Sequence, residues 1–193
     1  TGMSWLSDVE IAYRTLLEAG ANSVSLLHCT TNYPCPMSEV NLCAMQTMKN
    51  AFKCKIGYSD HTMGAEIPIA AVAMGAEIIE KHFTLDRNGG GPDDSFSLEP
   101  EDLKQLCVGA KTAWQALGQV DYGRKSSEQG NAQFRRSLYF VKDMKTGDVI
   151  DETCIRSVRP GFGLAPKFYE DILGKTLVQD VKKNTATRLE LLK

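Results

Sequence analysis

No apolar run in this 193-residue sequence is long enough to cross a membrane: the longest, residues 67–76, is about half the ~20 residues a spanning helix needs. Neither sign of charge dominates. Lys and Arg number 22 against 24 Asp and Glu, a formal net charge of −2, whereas nucleic-acid and polybasic membrane surfaces require a strong cationic excess. The six cysteines include no C-x-x-C pair, which removes the usual zinc and redox spacings. With 42% hydrophobic residues the chain can build a core without staples, so these cysteines read as small, reduced core residues. No G-x-x-x-x-G-K-[ST] phosphate loop is present. The opening Thr1-Gly2-Met3-Ser4 has neither the basic start nor the apolar run of a secretory leader, and the expectation is a cytoplasmic protein.

What the sequence does have is alternation. Residues 8–19 carry helical spacing, with Val9, Ala12, Leu16 and Leu17 on one face and Gly20 ending the helix. A buried strand follows at 23–29, then a loop holding Tyr33-Pro34-Cys35-Pro36 and a helix over 39–52. Residues 55–59 read as a strand, 65–74 as a helix stopped by Gly75, 77–83 as a third strand, and 100–117 as a helix burying Leu103, Leu106, Ala110 and Ala113. Such βαβ grammar makes parallel sheets. Three strands are too few to close a (β/α)8 barrel, which takes ~250 residues. An open doubly wound sheet fits the pattern; part of a barrel accounts better for a start on a helix. Residues 118–133 are polar and Gly/Ser-rich and read as a linker. Beyond it, short strands at 137–141, 148–150 and 155–158, turns, and a helix at 167–173 predict a small, mostly β domain over 134–193.

Two of the three histidines occupy comparable places. His61 follows one strand, and His82 lies near the end of the next, 82 − 61 = 21 residues on, one strand-plus-helix step. Neighbouring parallel strands lie ~4.8 Å apart, so two such side chains at the carboxyl-terminal rim are placed to share a metal. Period-two alternation puts Ser59 on the face of His61 and Glu80 on that of His82. A single strand-end histidine is more often a hydrogen-bonded structural residue, and His28 is read that way. The run 88–94, Asn-Gly-Gly-Gly-Pro-Asp-Asp, suits a mobile loop over the site, with Asp93 placed for substrate hydroxyls or a metal-bound water; a plain solvated turn explains it equally well. Arg159, before Pro160-Gly161-Phe162-Gly163, stands on a turn where a guanidinium can fork onto a carboxylate or amide, or simply face solvent.

Beyond these readings, TGM (1–3), LLHCTTNYPCP (26–36), GYSDHT (57–62), EKHFTLDR (80–87), GPDDSFSLEP (91–100), RRSLY (135–139) and RSVRPGFGLAPK (156–167) together resemble the nonulosonate synthases. These are the bacterial sialic-acid synthase family of N-acetylneuraminate, legionaminate and pseudaminate synthases. The resemblance implies an α/β fold: the C-terminal portion of a (β/α)8 TIM barrel over 1–117, a linker over 118–133, and a small SAF (antifreeze-like, β-clip) domain over 134–193. About the first half of the barrel would then be absent, and the SAF domain would be swapped across a homodimer. The implied reaction is metal-dependent condensation of phosphoenolpyruvate with an N-acylated amino sugar to a nonulosonic acid and phosphate, a carbon–carbon bond-forming transfer. His61 and His82 match the metal ligands, Ser59 the contact to the phosphoenolpyruvate phosphate, and Thr31 a polar position facing that substrate. Tyr33 and Asp93 match sugar contacts. Arg159 matches the arginine that reaches the partner's site to bind the N-acyl group, with Phe134 nearby. Glu80 and Asp93 are the implied catalytic carboxylates, Glu80 through orienting the metal shell. Asp94 departs from the family pattern, where histidine is common.

Within the family, the segment 157–175 with DSFSLEP looks most like pseudaminate synthases; neuraminate and legionaminate synthases are the alternatives. Two imidazoles with open positions suit Mn²⁺, with Mg²⁺ or Co²⁺ as alternatives. Expected partners are the two substrates and a second copy of the chain, with no nucleic acid and no membrane. A non-catalytic carbohydrate-binding scaffold and a barrel zinc hydrolase are the competing readings, separated from the first by whether phosphate release needs phosphoenolpyruvate.

Overall fold

The computed structural model describes residues 1–193, which divide into two compact units, Thr1–Val120 and Asp121–Lys193. In the first, helices α1 (Leu6–Glu18), α2 (Cys43–Phe52), α3 (Glu66–Ala73) and α4 (Pro100–Leu117) alternate with strands β1 (Ser25–Cys29), β2 (Lys55–Asp60) and β3 (Ile78–Lys81). The strands pair in parallel in the order β1-β2-β3, as consecutive strands of a barrel do. Leu26, Ile56 and Tyr58 from the sheet and Met45, Met48 and Ala71 from the helices form its buried core. Gly57 permits the β2–β3 approach: a Cβ there would stand 2.6 Å from the Ile78 carbonyl oxygen.

Helix starts and faces differ from the sequence expectations in three places. The helix expected over 39–52 begins only at Cys43, because Asn41 takes a left-handed φ of 49° and separates it from a 3-10 turn at Met37–Glu39. On α1, Leu16 and Leu17 are exposed, and the helix turns inward through Val9 and Tyr13 instead. The Tyr13 ring packs tilted against that of Phe52, 5.3 Å between centroids, and its hydroxyl donates to the Phe52 carbonyl. The third strand stops at Lys81, so His82 and Phe83 lie past it. α4 has the predicted bounds, with Pro100 at its first position and Asp102 accepting the Glu99 N–H.

The second unit is built around β4 (Ser137–Phe140) and β5 (Ile155–Val158), an antiparallel pair. Its core includes Leu138, Phe140, Ile150, Ile155 and Ile172. Residues 148–150 form no strand, only a single bridge between Val149 and Thr176. The expected helix over 167–173 is a 3-10 turn at Pro166–Phe168 running into α5 (Tyr169–Ile172). Within the stretch expected to be a plain linker, Ser126–Phe134 coils into 3-10 turns. Its preceding residue is tied in, the Lys125 N–H donating to Glu128 at 2.9 Å.

Candidate active site

The chemistry-bearing residues of the first unit gather at the carboxyl ends of β1, β2 and β3. Register alone brings Ser59 opposite Glu80, and the serine hydroxyl donates to Glu80 Oε1 at 2.7 Å. One step further along, the His61 and His82 rings lie 5.2 Å apart between centroids. A metal–nitrogen bond of about 2.1 Å would keep two rings on one ion within roughly 6.5 Å of each other, a condition this separation meets. His61 Nδ1 lies 2.9 Å from the Thr30 carbonyl oxygen. A carbonyl only accepts, so that nitrogen carries the proton and Nε2 presents its lone pair. Asp93 Oδ2 faces His82 Nδ1 at 3.5 Å, an electrostatic contact longer than a hydrogen bond. His28 is structural, its Nε2 bonded to the Val40 carbonyl oxygen at 2.7 Å.

Tyr33 covers the pair: its ring lies 4.1 Å from that of His61, 5.7 Å from His82 and 6.0 Å from Phe96. Phe96, buried and 5.0 Å from the His82 ring, was not foreseen. Thr31 is exposed on the same loop, against Gly2. The Asp93 loop is better anchored than its glycines suggested. Leu98 N–H donates to the His82 carbonyl and Thr84 N–H to the Leu98 carbonyl, closing the loop's base. Asp94, the departure from the family pattern, accepts the Gly91 N–H at 2.7 Å and folds the tip on itself. Arg87 pins the base to Ser97 and to Asp102.

Glu80, expected to orient a metal shell, accepts the Ser59 hydroxyl here, and the carboxylate nearest an imidazole is that of Asp93. Sequence reasoning also missed a network on the opposite face of the strands. Lys81 Nζ pairs with Asp60 Oδ2 at 2.6 Å, with side-chain exposures of 3% and 0%. Asp60 Oδ1 accepts the Tyr58 hydroxyl at 3.0 Å and the Thr62 N–H at 2.9 Å. Burial, reinforced by the Asp60 charge, pushes the Tyr58 hydroxyl far above its ordinary range and keeps it a donor. The signal was available: the 21-residue offset that pairs the histidines also pairs residue 60 with 81.

In the second unit, Arg159 lines a groove of about 760 Å³ with Tyr139, Phe162 and an unforeseen Arg188. Ser137, buried beneath it, donates its hydroxyl to the Pro160 carbonyl at 2.8 Å and accepts the Gly163 N–H at 2.9 Å. The Gly161 N–H donates to the Gln133 carbonyl at 2.8 Å, placing exposed Phe134 beside this turn. A Cβ on Gly163 would lie 2.3 Å from the Leu138 carbonyl oxygen, so the turn closes only on glycine.

Paired imidazoles, carboxylates and a hydroxyl at parallel strand ends define an α/β protein with an enzyme-type rim site. Residues 1–122 match the NeuB family and residues 135–191 the SAF domain, and the chain belongs to the NeuB family. It is 46% identical over 191 residues to the N,N'-diacetyllegionaminic acid synthase of Campylobacter jejuni, covering 97% of this chain and 57% of that protein. It is 40% identical over 162 residues to the pseudaminic acid synthase of the same organism, covering 84% and 47%. The crystal structure of the spore coat polysaccharide biosynthesis protein SpsE of Bacillus subtilis superposes over all of this chain and 60% of that one, with a TM-score of 0.59 at 31% identity. The chain thus spans about half the length of the curated relatives it matches, and its first unit belongs to a NeuB domain of the TIM-barrel type.

Proposed function

We propose that this chain carries the metal-binding and sugar-contacting part of a nonulosonate synthase, which condenses phosphoenolpyruvate with an N-acylated amino sugar. The observation that supports this best is the imidazole pair. Two rings at neighbouring strand ends lie within reach of one ion, and neither Nε2 has a protein partner. A divalent ion held by His61 and His82 keeps positions open for water and substrate, which suits Mn²⁺. When bound, such an ion supplies Lewis-acid polarisation of the sugar aldehyde.

The chain's own residues do the rest of the positioning. Tyr33 and Phe96 give the rim an apolar wall that excludes water on one side, and Asp93 stands half-exposed for a sugar hydroxyl. Ser59 holds its proton on Glu80. To donate to a phosphate it must turn away from that carboxylate, which leaves Glu80 an open acceptor near the reacting atoms. Arg159 and Phe134, on the second unit, complete the sugar site from a partner copy in a swapped, cytoplasmic homodimer.

The preferred amino sugar shifts with the comparisons. The motif reading favours the pseudaminate precursor, yet between two enzymes of one organism the legionaminic acid synthase is the more similar, 46% against 40%. We place the legionaminate precursor first and the pseudaminate precursor second. Offering the three candidate amino sugars in parallel to the full-length protein, with phosphoenolpyruvate and Mn²⁺, tests both levels by product mass. One product of the expected mass, lost in His61→Ala, supports the reading. No phosphoenolpyruvate-dependent product from any sugar sinks it.

A further inference from the structure

Asp60 and Lys81 are register partners across β2 and β3, each immediately before one of the two histidines. Their side chains point away from the imidazoles, into the helix-facing layer beside Tyr58, and are shut off from solvent. The pair also brackets His61 itself. The Asp60 carboxylate holds the N–H of Thr62, and the Lys81 ammonium donates to the Thr62 carbonyl. The His61 carbonyl accepts the Cys35 N–H at 2.8 Å. On the β3 side the ladder ends at Lys81. Past that point His82 is tied to the returning Leu98 rather than to β2. The ion pair is therefore the last bond between the two strands before the imidazoles.

We propose that the buried Asp60–Lys81 ion pair is a positioning clamp that sets the spacing of His61 and His82 for a shared divalent cation. This rests on the metal reading above. Burying opposite charges in contact adds little to stability compared with apolar residues of the same volume, but the attraction in a low-dielectric layer is steep in distance. A clamp and a stability element therefore predict different things when both charges are removed together.

The test uses full-length protein with Mn²⁺ alone, titrated by the loss of the free-ion electron paramagnetic resonance signal, beside thermal unfolding of the same samples. Asp60→Asn with Lys81→Met removes both charges at nearly constant volume and keeps an oxygen for Tyr58 and Thr62. The double variant is expected to melt near the wild type while binding Mn²⁺ about 10- to 100-fold more weakly, the range for groups that orient a ligand. Unchanged Mn²⁺ affinity in the folded double variant overturns the clamp. Should the double variant fail to fold, Asp60→Glu keeps the pair with a longer arm. It must then weaken Mn²⁺ binding in a folded protein, and unchanged affinity again overturns the proposal. If the wild type binds no divalent ion, the metal reading fails by itself. The clamp is then judged in metal-free protein by the ring ¹H shifts of His61 and His82, which sense the neighbouring ring 5.2 Å away and which the double variant must move. An unaltered spectrum overturns it.

Discussion

The two units differ in one buried ion pair. The first has exposed pairs such as Arg14–Glu10 and Lys104–Glu101, but it also seals an ammonium and a carboxylate behind the sheet with 3% and 0% exposure. In the second, Lys145–Asp180, Lys182–Asp143 and Lys142–Asp151 all lie on the surface with side chains about half exposed or more. Buried pairs lose much when one partner goes, whereas exposed pairs contribute roughly 0–1 kcal/mol. The first unit thus concentrates its polar order where strands end and chemistry is expected. The second keeps two buried hydroxyls, Ser137 on the Arg159 turn and Thr187 on the Leu138 carbonyl, and leaves its ion pairs to solvent.

Three changes break that contrast at different depths. The largest effect is expected from Gly57→Ala, whose methyl group would collide with the Ile78 backbone and part β2 from β3. Overpacking against backbone should cost about 3 kcal/mol in urea unfolding; a loss under about 0.5 kcal/mol would show that the strands separate easily. Ser137→Ala comes next. It strips partners from the Pro160 carbonyl and the Gly163 N–H, at about 1–3 kcal/mol. The same denaturation experiment checks it, and a neutral result would mean the Arg159 turn holds itself.

Asp180→Asn should be the mildest at neutral pH and is visible mainly in acid. Lys145 and the Thr146 N–H hold the Asp180 carboxyl at about 2, against an ordinary 3.8. A depressed carboxyl contributes its stability above the unfolded value and loses it as pH falls through the folded one. The wild type should therefore weaken between about pH 4 and pH 2. Hydrogen exchange at the Val181 amide, bonded to Met144 in the same unit, should show that acid limb flattened in the variant. An identical limb would assign the weakening to Asp143 and Asp151, whose carboxyls are also lowered, by Lys182 and by Thr153 respectively.

Most of the first unit was legible because its signals are periodic. A two-residue alternation and a 21-residue repeat place Ser59, His61, Glu80 and His82 on one rim, and that is where they lie. What escaped was aperiodic or cross-chain. The late start of α2 hangs on one left-handed asparagine, Asn41. The Ser59–Glu80 hydrogen bond is a cross-strand register contact that neither strand announces by itself. In the second unit, residues 148–150 look like a strand by composition but find only one bridging partner. Ser137 gives no local sign that its hydroxyl will stitch a turn 23 residues away.

His61 and His82 are steadied from different places, one by the Thr30 carbonyl at the end of the sheet, the other by Asp93 in a loop. One imidazole is thus referenced to the scaffold and the other to whatever occupies the loop. On the proposed metal reading, a group that engages Asp93 would change how firmly His82 is held, and so the affinity of the imidazole pair for a cation. Thermodynamic reciprocity then fixes the converse: a cation on the pair changes the affinity at Asp93 by the same factor. Order of addition, not composition alone, would be written into the kinetics of such a site.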